Sequence, residues 1–458
     1  GWSFVRPSFP WRLHDSPALS RRPAPAKGEH NAEILGAGPR AVSPVDGERP
    51  ASGGGLPLDG IRVLDLGTFW AGGSHGTYLG SMGADVIKVE SVQRPDGFRF
   101  NMATPELGPH WYESGRHRPV NLNKRDITLD LSRAEGSALL CRLIETADVI
   151  AENYAARVLD NLGFGWDRVR EINPRIIMVR MPGYGLEGPW RDFVGWGNAF
   201  EQISGQAAVT GAPDGPPVSP GGYTDPAVGL HAVVATLAAL EHRRRTGRGQ
   251  LIEVSQIEVG ACVGADPVIE YSLTGRVPPR LGNRSRTMAP QGAYRAADGR
   301  WLALSARDDE DWKRVRAALG DPEWARDPEL ERLAGRLRHH DMLDAEIGAW
   351  ASRAGARDLV NVLLEHEVPA AVVATADDFL TDPHLSARGY YQTIVHDVMG
   401  AEPYPGWPMR FSHAPRMHHR APAPLLGQHN REVLGGELGL SEDELSRLER
   451  DHIIGTLP

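Results

Sequence analysis

The chain has 458 residues, of which 41% are hydrophobic and 24% charged, so it can bury a sizeable core and form two or three domains. Its formal net charge of −9 excludes the uniformly basic surface with which proteins bind nucleic acid or anionic membranes. Two cysteines, Cys141 and Cys262, are too few for a disulfide framework and indicate a reducing, cytoplasmic location. The longest apolar stretch, residues 227–240, is shorter than the roughly twenty residues of a membrane span, so no membrane partner is expected.

The proline-rich N-terminal region contains a sequence that is repeated near the C-terminus. Residues 23–36 align without gaps with residues 422–435, and nine of the fourteen positions are identical. A weaker match joins Gly1-Trp2 to Gly406-Trp407. The offset between the two copies is 399 residues, about the length of a whole catalytic unit. The repeat therefore predicts that residues 1–55 are the tail of a preceding copy plus a glycine-rich linker, within a tandem protein.

Residues 56–280 are predicted to form a large Rossmann-like α/β domain. Apolar runs typical of buried strands lie at residues 61–66, 84–90, 147–150 and 176–181, with helical patterns between them. Strands that alternate with helices predict a parallel, doubly wound sheet. A long helix is predicted over residues 226–244, with Pro226 at its first position and Gly247 beyond its end.

After Gly282 the sequence changes to short strands and charged helices. This change predicts a smaller α+β domain over residues 281–385. Residues 386–458 return to proline-rich extended chain and end in a predicted helix at residues 441–451.

The familiar motifs of nucleotide and hydrolase sites fit this sequence poorly. Gly72, Gly73 and Gly76 follow the first strand but do not give the G-x-G-x-x-G spacing, which disfavours a nicotinamide site. Residues 72–76 match the letters of a G-x-S-x-G elbow, yet they lie in the first turn of a Rossmann-like unit without a suitable partner. A serine hydrolase is therefore disfavoured as well.

Asp225 is the most informative single residue. It follows Gly221-Gly222 and precedes the long apolar helix, where an N-cap carboxylate can accept backbone N–H hydrogen bonds. Asp-Pro pairs occur five times in the chain, and most must be ordinary caps. The pattern alone leaves a capping role and a catalytic role open.

Several short motifs occur in the order found in one enzyme family. They lie at residues 58–65, 83–90, 123–125, 152–154, 172–175, 214–217, 246–250 and 408–412. Each is weak alone, but together they run in register from residue 58 to about residue 440. The chain therefore resembles the family III CoA transferases, which include formyl-CoA transferase and α-methylacyl-CoA racemase. The resemblance implies a Rossmann-like large domain, a smaller α+β domain, and a C-terminal segment, residues 386–458, that returns to the large domain.

The resemblance also implies a mechanism. The family's nucleophile is an aspartate in a G-D-x-x-x-G pattern, which Asp225 and Gly229 fit, although Thr224 replaces the first glycine. The implied reaction is a ping-pong transfer of CoA from an acyl-CoA to a small carboxylic acid through aspartyl intermediates. An aspartate of ordinary pKa is ionised at neutral pH, so no general base is expected. Coenzyme A is then a substrate, and no metal or tightly bound cofactor is expected.

Residues at the family's CoA-contacting positions match unevenly. The residues expected to contact CoA are Trp70, Ala71, Leu129, Asn153, Tyr154 and Trp196. For the aromatic residues among them, plain packing in the core is an equally open interpretation. Ser91, Asn161 and Ser132 replace basic residues that are common in the relatives. Phosphate contacts are therefore expected from Arg133 or Arg157.

Two other functions remain open from the sequence. Racemases of the family pair the aspartate with a histidine in Gly-His-Asp, but the aligned residues here are Gly195-Trp196-Gly197, which disfavours a racemase. An inert CoA-binding copy in a tandem protein is the second alternative.

The family forms interlocked dimers, so a homodimer or a tandem pseudo-dimer is expected. The loop at residues 283–292 is expected to line the acid pocket. There Arg284 or Arg286 would hold a carboxylate, and an equally open interpretation is that both are solvated loop arginines. Formate and oxalate are disfavoured.

Overall fold

A computed structural model describes residues 3–17, 22–38, 55–103, 105–107, 110–412 and 418–458. The chain divides into two compact units. The first comprises Gly1–Gln206, Pro220–Leu273 and Tyr390–Pro458 as far as they are described, and the second comprises Ala207–Ser219 and Thr274–Gly389. The predicted match of Gly1-Trp2 lies outside the described residues.

The first unit is built on a seven-stranded sheet. In chain order its strands are β1 (Arg12–Leu13), β2 (Arg62–Asp65), β3 (Asp85–Glu90), β4 (Lys124–Thr128), β5 (Val149–Glu152), β6 (Ile177–Arg180) and β7 (Leu251–Glu253). Their order across the sheet is β1-β7-β6-β5-β2-β3-β4. All neighbours pair in parallel except β1, which adds an antiparallel edge to β7. Counted from β2, the six parallel strands have the order 3-2-1-4-5-6, which confirms the predicted Rossmann-like α/β fold.

Helices cover both faces of this sheet, and others belong to the second unit. In chain order they are α1 (Asn31–Gly36), α2 (Phe69–Ser81), α3 (Ala134–Thr146), α4 (Arg157–Asn161), α5 (Trp166–Ile172), α6 (Gly197–Ile203), α7 (Gln206–Val209), α8 (Thr224–Thr246), α9 (Gln256–Val263), α10 (Ala265–Thr274), α11 (Asp309–Ala318), α12 (Leu333–Arg338), α13 (His340–Ala351), α14 (Ala356–Glu365), α15 (Ala376–Thr381), α16 (Pro383–Ala387) and α17 (Glu442–Arg450). Arg431–Glu437 is a π-helical turn.

Alternate residues of the parallel strands fill two separate cores, as the period of two along a strand requires. Val63 of β2 packs with α2 and α8 on one face, whereas Leu64 packs with α3 on the other. α17 adds Leu445 and Leu448 to the α3 side, so the C-terminal segment returns to the large unit as expected. Within the described residues, no helix is long and apolar enough to cross a membrane.

The long helix α8 begins earlier than predicted. It starts at Thr224 after Tyr223, so Pro226 is its third residue rather than its first. A proline is tolerated there because the first N–H groups of a helix have no acceptor within the helix. Asp225 consequently lies inside the first turn and not at the N-cap, and the predicted capping position is wrong.

The second unit contains a three-stranded antiparallel sheet, β10-β9-β8, built from β8 (Gln291–Arg295), β9 (Trp301–Ser305) and β10 (Ala370–Val372). Its core surrounds the fully buried Trp312. A hairpin of β11 (Tyr391–His396) and β12 (Gly400–Pro405) belongs to the first unit. The boundaries differ from the predicted ones because residues 207–219, 274–280 and 386–389 join the smaller unit.

Candidate active site

A cavity of about 270 Å³ lies beyond the carboxyl ends of the central strands. The segments after β2 and β5 form part of its wall, and these two strands are neighbours at the point where the strand order reverses. Ligands of doubly wound folds bind at this switch point because the two following segments diverge and leave a crevice. The position of the cavity therefore follows from the topology of the sheet.

Paired polar groups hold the loop after β2 in place. The side chain of Asn153 accepts a hydrogen bond from Thr68 N over 2.8 Å and donates one to Thr68 O over 2.9 Å. Asp96 accepts a hydrogen bond from Phe69 N over 3.0 Å, which supports the left-handed backbone of Phe69 at φ 55°. These hydrogen bonds fix the backbone of Thr68 and Phe69, which forms part of the cavity wall.

A buried ion pair lies beneath the same loop. Lys88 Nζ is 3.1 Å from Asp96 Oδ2 and donates to Gly67 O over 2.7 Å, and both charged side chains are fully buried. Burial by itself would raise the pKa of Asp96, but the nearby Lys88 ammonium lowers it, and the pKa lies below its ordinary value as a result. The carboxylate is thereby held ionised as a structural element.

Asp225 presents a different kind of carboxylate to the cavity. Among the described residues no group donates a hydrogen bond to it, and its Oδ2 lies against the backbone of Gly197 in α6. A Cβ at Gly197 would lie 2.7 Å from Asp225 Oδ2, so only glycine leaves room for the carboxylate. The side chain is therefore partly buried, lies in the first turn of a helix and has no hydrogen-bond donor among the described residues.

A second carboxylate, that of Glu201 in α6, acts electrostatically on Asp225. Glu201 is fully buried and accepts hydrogen bonds from Gly222 N over 2.7 Å and Gly221 N over 3.2 Å. Burial, and secondarily the charge of Glu201, raise the pKa of Asp225 to about 7. The expectation of an ordinary aspartate pKa is wrong, because the sequence does not reveal this enclosure.

Aromatic side chains line the remaining wall. The ring of Phe69 meets Trp196 edge-on, with centroids 4.8 Å apart, and it meets Phe98 at 5.4 Å. Trp196 is 62% exposed, so it forms part of the cavity mouth rather than the core. An apolar mouth of this kind suits the flexible, weakly polar arm of a large cofactor-like substrate.

The structure brings most of the predicted site residues to this one cavity. Its lining includes Trp70, Ala71, Asn153, Tyr154, Arg157, Trp196 and Asp225. Leu129 and Arg133 lie elsewhere: Leu129 is fully buried in the core on the α3 side, and Arg133 is exposed at the start of α3. CoA contacts by these two residues stay predictions.

Other expectations and omissions concern charged and polar side chains. Arg284, in the second unit, pairs with Asp341 and Asp344 at 2.6 and 2.7 Å. Gln256, the third residue after β7 and the first of α9, also lines the cavity and could have been found from its place just beyond the carboxyl end of a parallel strand. Glu201 carries no comparable sequence signal. Among the described residues, no cluster of histidine, cysteine or acidic side chains is arranged to hold a metal ion.

The fold and its switch-point cavity define the class, a doubly wound α/β protein that binds its ligand at the carboxyl ends of the central strands. The sequence model of CoA-transferase family III matches residues 58–430, and the chain belongs to this family. It is an enzyme of the acyl-CoA:carboxylate CoA-transferase type.

Named relatives agree with this assignment. The chain is 38% identical to succinyl-CoA–D-citramalate CoA-transferase of Chloroflexus aurantiacus, over 87% of this chain and 98% of the relative. It is 33% identical to succinate–glutarate CoA-transferase of Agrobacterium fabrum, over 86% and 97%. The probable CoA-transferase Rv1866 of Mycobacterium tuberculosis is 31% identical over 95% of this chain, which spans only 54% of that protein. A CAIB/BAIF family structure from Brucella suis has a TM-score of 0.76 and 30% identity, covering 83% of this chain and 99% of its own.

Proposed function

We propose that the chain moves CoA from a succinyl-CoA-like thioester to a second carboxylic acid through covalent intermediates on Asp225. The observation that carries this proposal is the carboxylate of Asp225, which faces the cavity without a hydrogen-bond donor among the described residues. A carboxylate whose role was structural would have such partners, as Asp96 has.

The transfer balances without an added base or oxidant. An Asp225 oxygen attacks the thioester carbonyl and the C–S bond breaks. CoA leaves as a thiolate, and the acyl group remains on Asp225 as a mixed anhydride. The thiolate then attacks the aspartyl carbonyl and releases the first acid as a carboxylate. The acceptor carboxylate attacks this aspartyl-CoA thioester, and the returning thiolate takes the new acyl group. Asp225 ends as the carboxylate with which it began.

The environment of Asp225 suits these steps. A carboxylate with a pKa of about 7 is more basic, and so more nucleophilic, than one of ordinary pKa. The apolar rings of Phe69 and Trp196 beside the cavity would limit the hydration of a reactive anhydride. Raising the pKa any further would leave too little ionised carboxylate at neutral pH.

We assign CoA binding to Trp70, Ala71, Asn153, Tyr154 and Trp196, which share the cavity with Asp225. Arg157, also at the cavity, is our candidate for a phosphate or substrate carboxylate. The names of the C. aurantiacus and A. fabrum relatives support dicarboxylic acids as the substrate class.

A racemase finds less support at this site. Such a reaction needs a second proton carrier opposite Asp225. Trp196 stands at the position expected for that group, and the described cavity lining contains no histidine.

The test is an initial-rate study with succinyl-CoA as donor and citramalate, malate, glutarate and acetate as acceptors. We expect parallel double-reciprocal lines, the pattern of a ping-pong reaction, with at least one dicarboxylate. Asp225→Ala should lower transfer by on the order of 10³-fold or more. Asp266→Ala is the matched control, because Asp266 also precedes a proline in the first turn of a helix, α10, outside the cavity. Intersecting lines, or an active Asp225→Ala variant, would contradict the proposal.

A further inference from the structure

The sequence repeat is also a structural repeat. We call residues 23–36 the N-terminal segment and residues 422–435 the C-terminal segment. In both, extended chain leads into a four-residue turn and then a helical turn at equivalent positions. The glycine at the second turn position has a positive φ in each, 78° in Gly28 and 65° in Gly427. Glycine is favoured at both positions because other residues resist this conformation.

The hydrogen bonds that close the two turns correspond one to one. In the N-terminal segment they are Asn31 N to Gly28 O at 3.1 Å, Ile34 N to His30 O at 2.9 Å and Ala26 N to Glu29 Oε2 at 2.6 Å; in the C-terminal segment they are Asn430 N to Gly427 O at 3.0 Å, Val433 N to His429 O at 2.9 Å and Leu425 N to Gln428 Oε1 at 2.8 Å. The turns of the two segments therefore have the same local structure, and they differ only in the helix that follows, which is α-helical in the N-terminal segment and π-helical in the C-terminal one.

The C-terminal segment uses this fold to dock on the free edge of β4. His429 N donates to Asp126 O over 2.9 Å, and Asp126 N donates to His429 Nδ1 over 3.0 Å. Thr128 N donates to Asn430 Oδ1 over 2.9 Å, and Asn430 Nδ2 donates to Thr128 Oγ1 over 3.1 Å. A histidine and an asparagine thus satisfy strand groups that would otherwise lie unpaired at a sheet edge.

The N-terminal segment has the same docking groups and nothing to dock on. Val433 and Leu434 are fully buried, whereas their counterparts Ile34 and Leu35 are 70% and 84% exposed. Within the described parts of the chain, the hydrogen bonds of the N-terminal segment all join its own residues. An apolar pair presented by an already formed docking turn indicates a missing receiving surface.

We propose that the N-terminal segment docks on the β4 edge of a second copy of this catalytic unit, with His30 and Asn31 in the places of His429 and Asn430. The β4 edge of its own unit is already covered by the C-terminal segment, and an identical chain would cover its own edge in the same way. The receiving edge therefore belongs to a tandem copy of the unit whose C-terminal tail is the N-terminal segment itself, as the repeat at an offset of 399 residues implies. Both docking residues are among the nine identities of the repeat. The M. tuberculosis relative, of which this chain spans 54%, leaves about half of its length outside the match. This proposal does not depend on the proposed reaction.

The chain also ties the N-terminal segment to its own unit. Upstream of it, β1 pairs with β7, at the edge of the sheet opposite β4. The N-terminal region would thus connect the β7 edge of one unit to the β4 edge of the other.

The test uses an acceptor chain in which residues 422–435 are replaced by a glycine-serine linker of equal length. Synthetic peptides of residues 22–38 and, as a positive control, of residues 421–437 are added to it. We expect both to raise the unfolding temperature of the acceptor and to slow hydrogen exchange at the Asp126 and Thr128 amides. The first peptide should bind about ten- to a hundredfold more weakly, because Lys27 replaces the buried Leu426. An Asn31→Ala peptide should bind about tenfold more weakly still. Rescue by the 421–437 peptide alone, or equal binding of the Asn31→Ala peptide, would overturn the proposal.

A second variant decides the matter if the acceptor does not fold. The intact chain receives Leu425→Ala, Gln428→Glu, Arg431→Ala and Val433→Ile, which convert the C-terminal segment to the N-terminal sequence except at Leu426. We expect exchange of the Thr128 amide to stay within about tenfold of the parent chain, and to rise well beyond that when Asn430→Ala is added. Equal exchange in the two variants would overturn the proposal.

Discussion

Asp96, which is fully buried, and Asp225, which is partly buried, are two carboxylates near the same end of the sheet, and their surroundings differ completely. Asp96 faces the Lys88 ammonium and accepts hydrogen bonds from Phe69 N and Phe98 N, both over 3.0 Å. Asp225 lies within electrostatic range of the Glu201 carboxylate and has no hydrogen-bond donor among the described residues. The pKa of Asp96 is lowered, whereas that of Asp225 is raised to about 7.

We interpret this difference as the one between a structural charge and the nucleophile that we propose. Burying a charge is costly unless partners compensate for lost hydration, and the site of Asp96 supplies them. The site of Asp225 withholds them, so the carboxylate remains basic and available. We propose that Asp225, the aspartate with fewer partners to stabilise its ionised form, is the one that acts on the substrate.

Removing Asp96 should produce the largest effect on folding. Asp96→Ala leaves the ammonium of Lys88 buried without its partner, and we expect a loss of about 3–5 kcal/mol in the free energy of unfolding. Urea denaturation measures this loss. Glu241→Ala, which removes an exposed partner of Arg244 and Arg245, is the control and should change stability little. Equal losses in the two variants would contradict a structural role for the Lys88–Asp96 pair.

Neutralising Asp225 should have the opposite sign. The folded protein holds the Asp225 proton up to pH about 7, whereas the ordinary value is 3.8, so the stability this carboxyl provides is full at low pH and is lost as the pH rises through 7. Asp225→Asn should therefore stabilise the protein by about 2–4 kcal/mol at pH 8 and by less at pH 5. Denaturation at the two pH values measures the difference. A destabilised variant at pH 8 would show that Asp225 is a structural charge like Asp96.

Crowding Asp225 should reduce catalysis without removing the carboxylate. A Cβ in Gly197→Ala would lie 2.7 Å from Asp225 Oδ2 and push it from its position. We expect transfer to fall by about 10²-fold, because displacements near 1 Å at a reacting group have effects of this size. Gly348→Ala, where nothing lies within 4 Å of the added Cβ, is the matched control. Unchanged kinetics in both variants would contradict the placement of the carboxylate.

Neutralising Glu201 should give the smallest and most specific effect. Transfer that requires ionised Asp225 should rise with pH through about 7 in the parent enzyme. Glu201→Gln removes the nearby negative charge, so the midpoint of the kcat/KM profile should move to lower pH. The measurement is the pH dependence of kcat/KM in both proteins. An unmoved midpoint would assign the raised pKa of Asp225 to burial alone.

Much of the fold could be predicted from the sequence because four of the parallel strands, β2, β3, β5 and β6, each contain two or three adjacent apolar residues. β4 escaped prediction for a physical reason. Lys124 and Asp126 are buried within it, so its sequence looks like a surface segment. Lys124 is compensated by Asp65 of β2 at 2.7 Å, a partner that only the folded chain brings near.

The candidate site divides in the same way. Asp225 and the cavity residues of the loops after β2 and β5 were predictable, because motif positions and strand ends locate them. The pKa of Asp225 was not, because Glu201 and Gly197 approach it from α6 through tertiary packing. Resemblance also predicted Leu129, whose burial in the core the sequence could not reveal.

Covalent capture on Asp225 tests the central claim most directly. The enzyme is incubated with succinyl-CoA, treated with hydroxylamine, digested and analysed by peptide mass spectrometry. We predict a hydroxamate on the peptide that contains Asp225, dependent on succinyl-CoA and absent from Asp225→Ala. Steady transfer of CoA with the modification on another residue, or on none, would contradict the account.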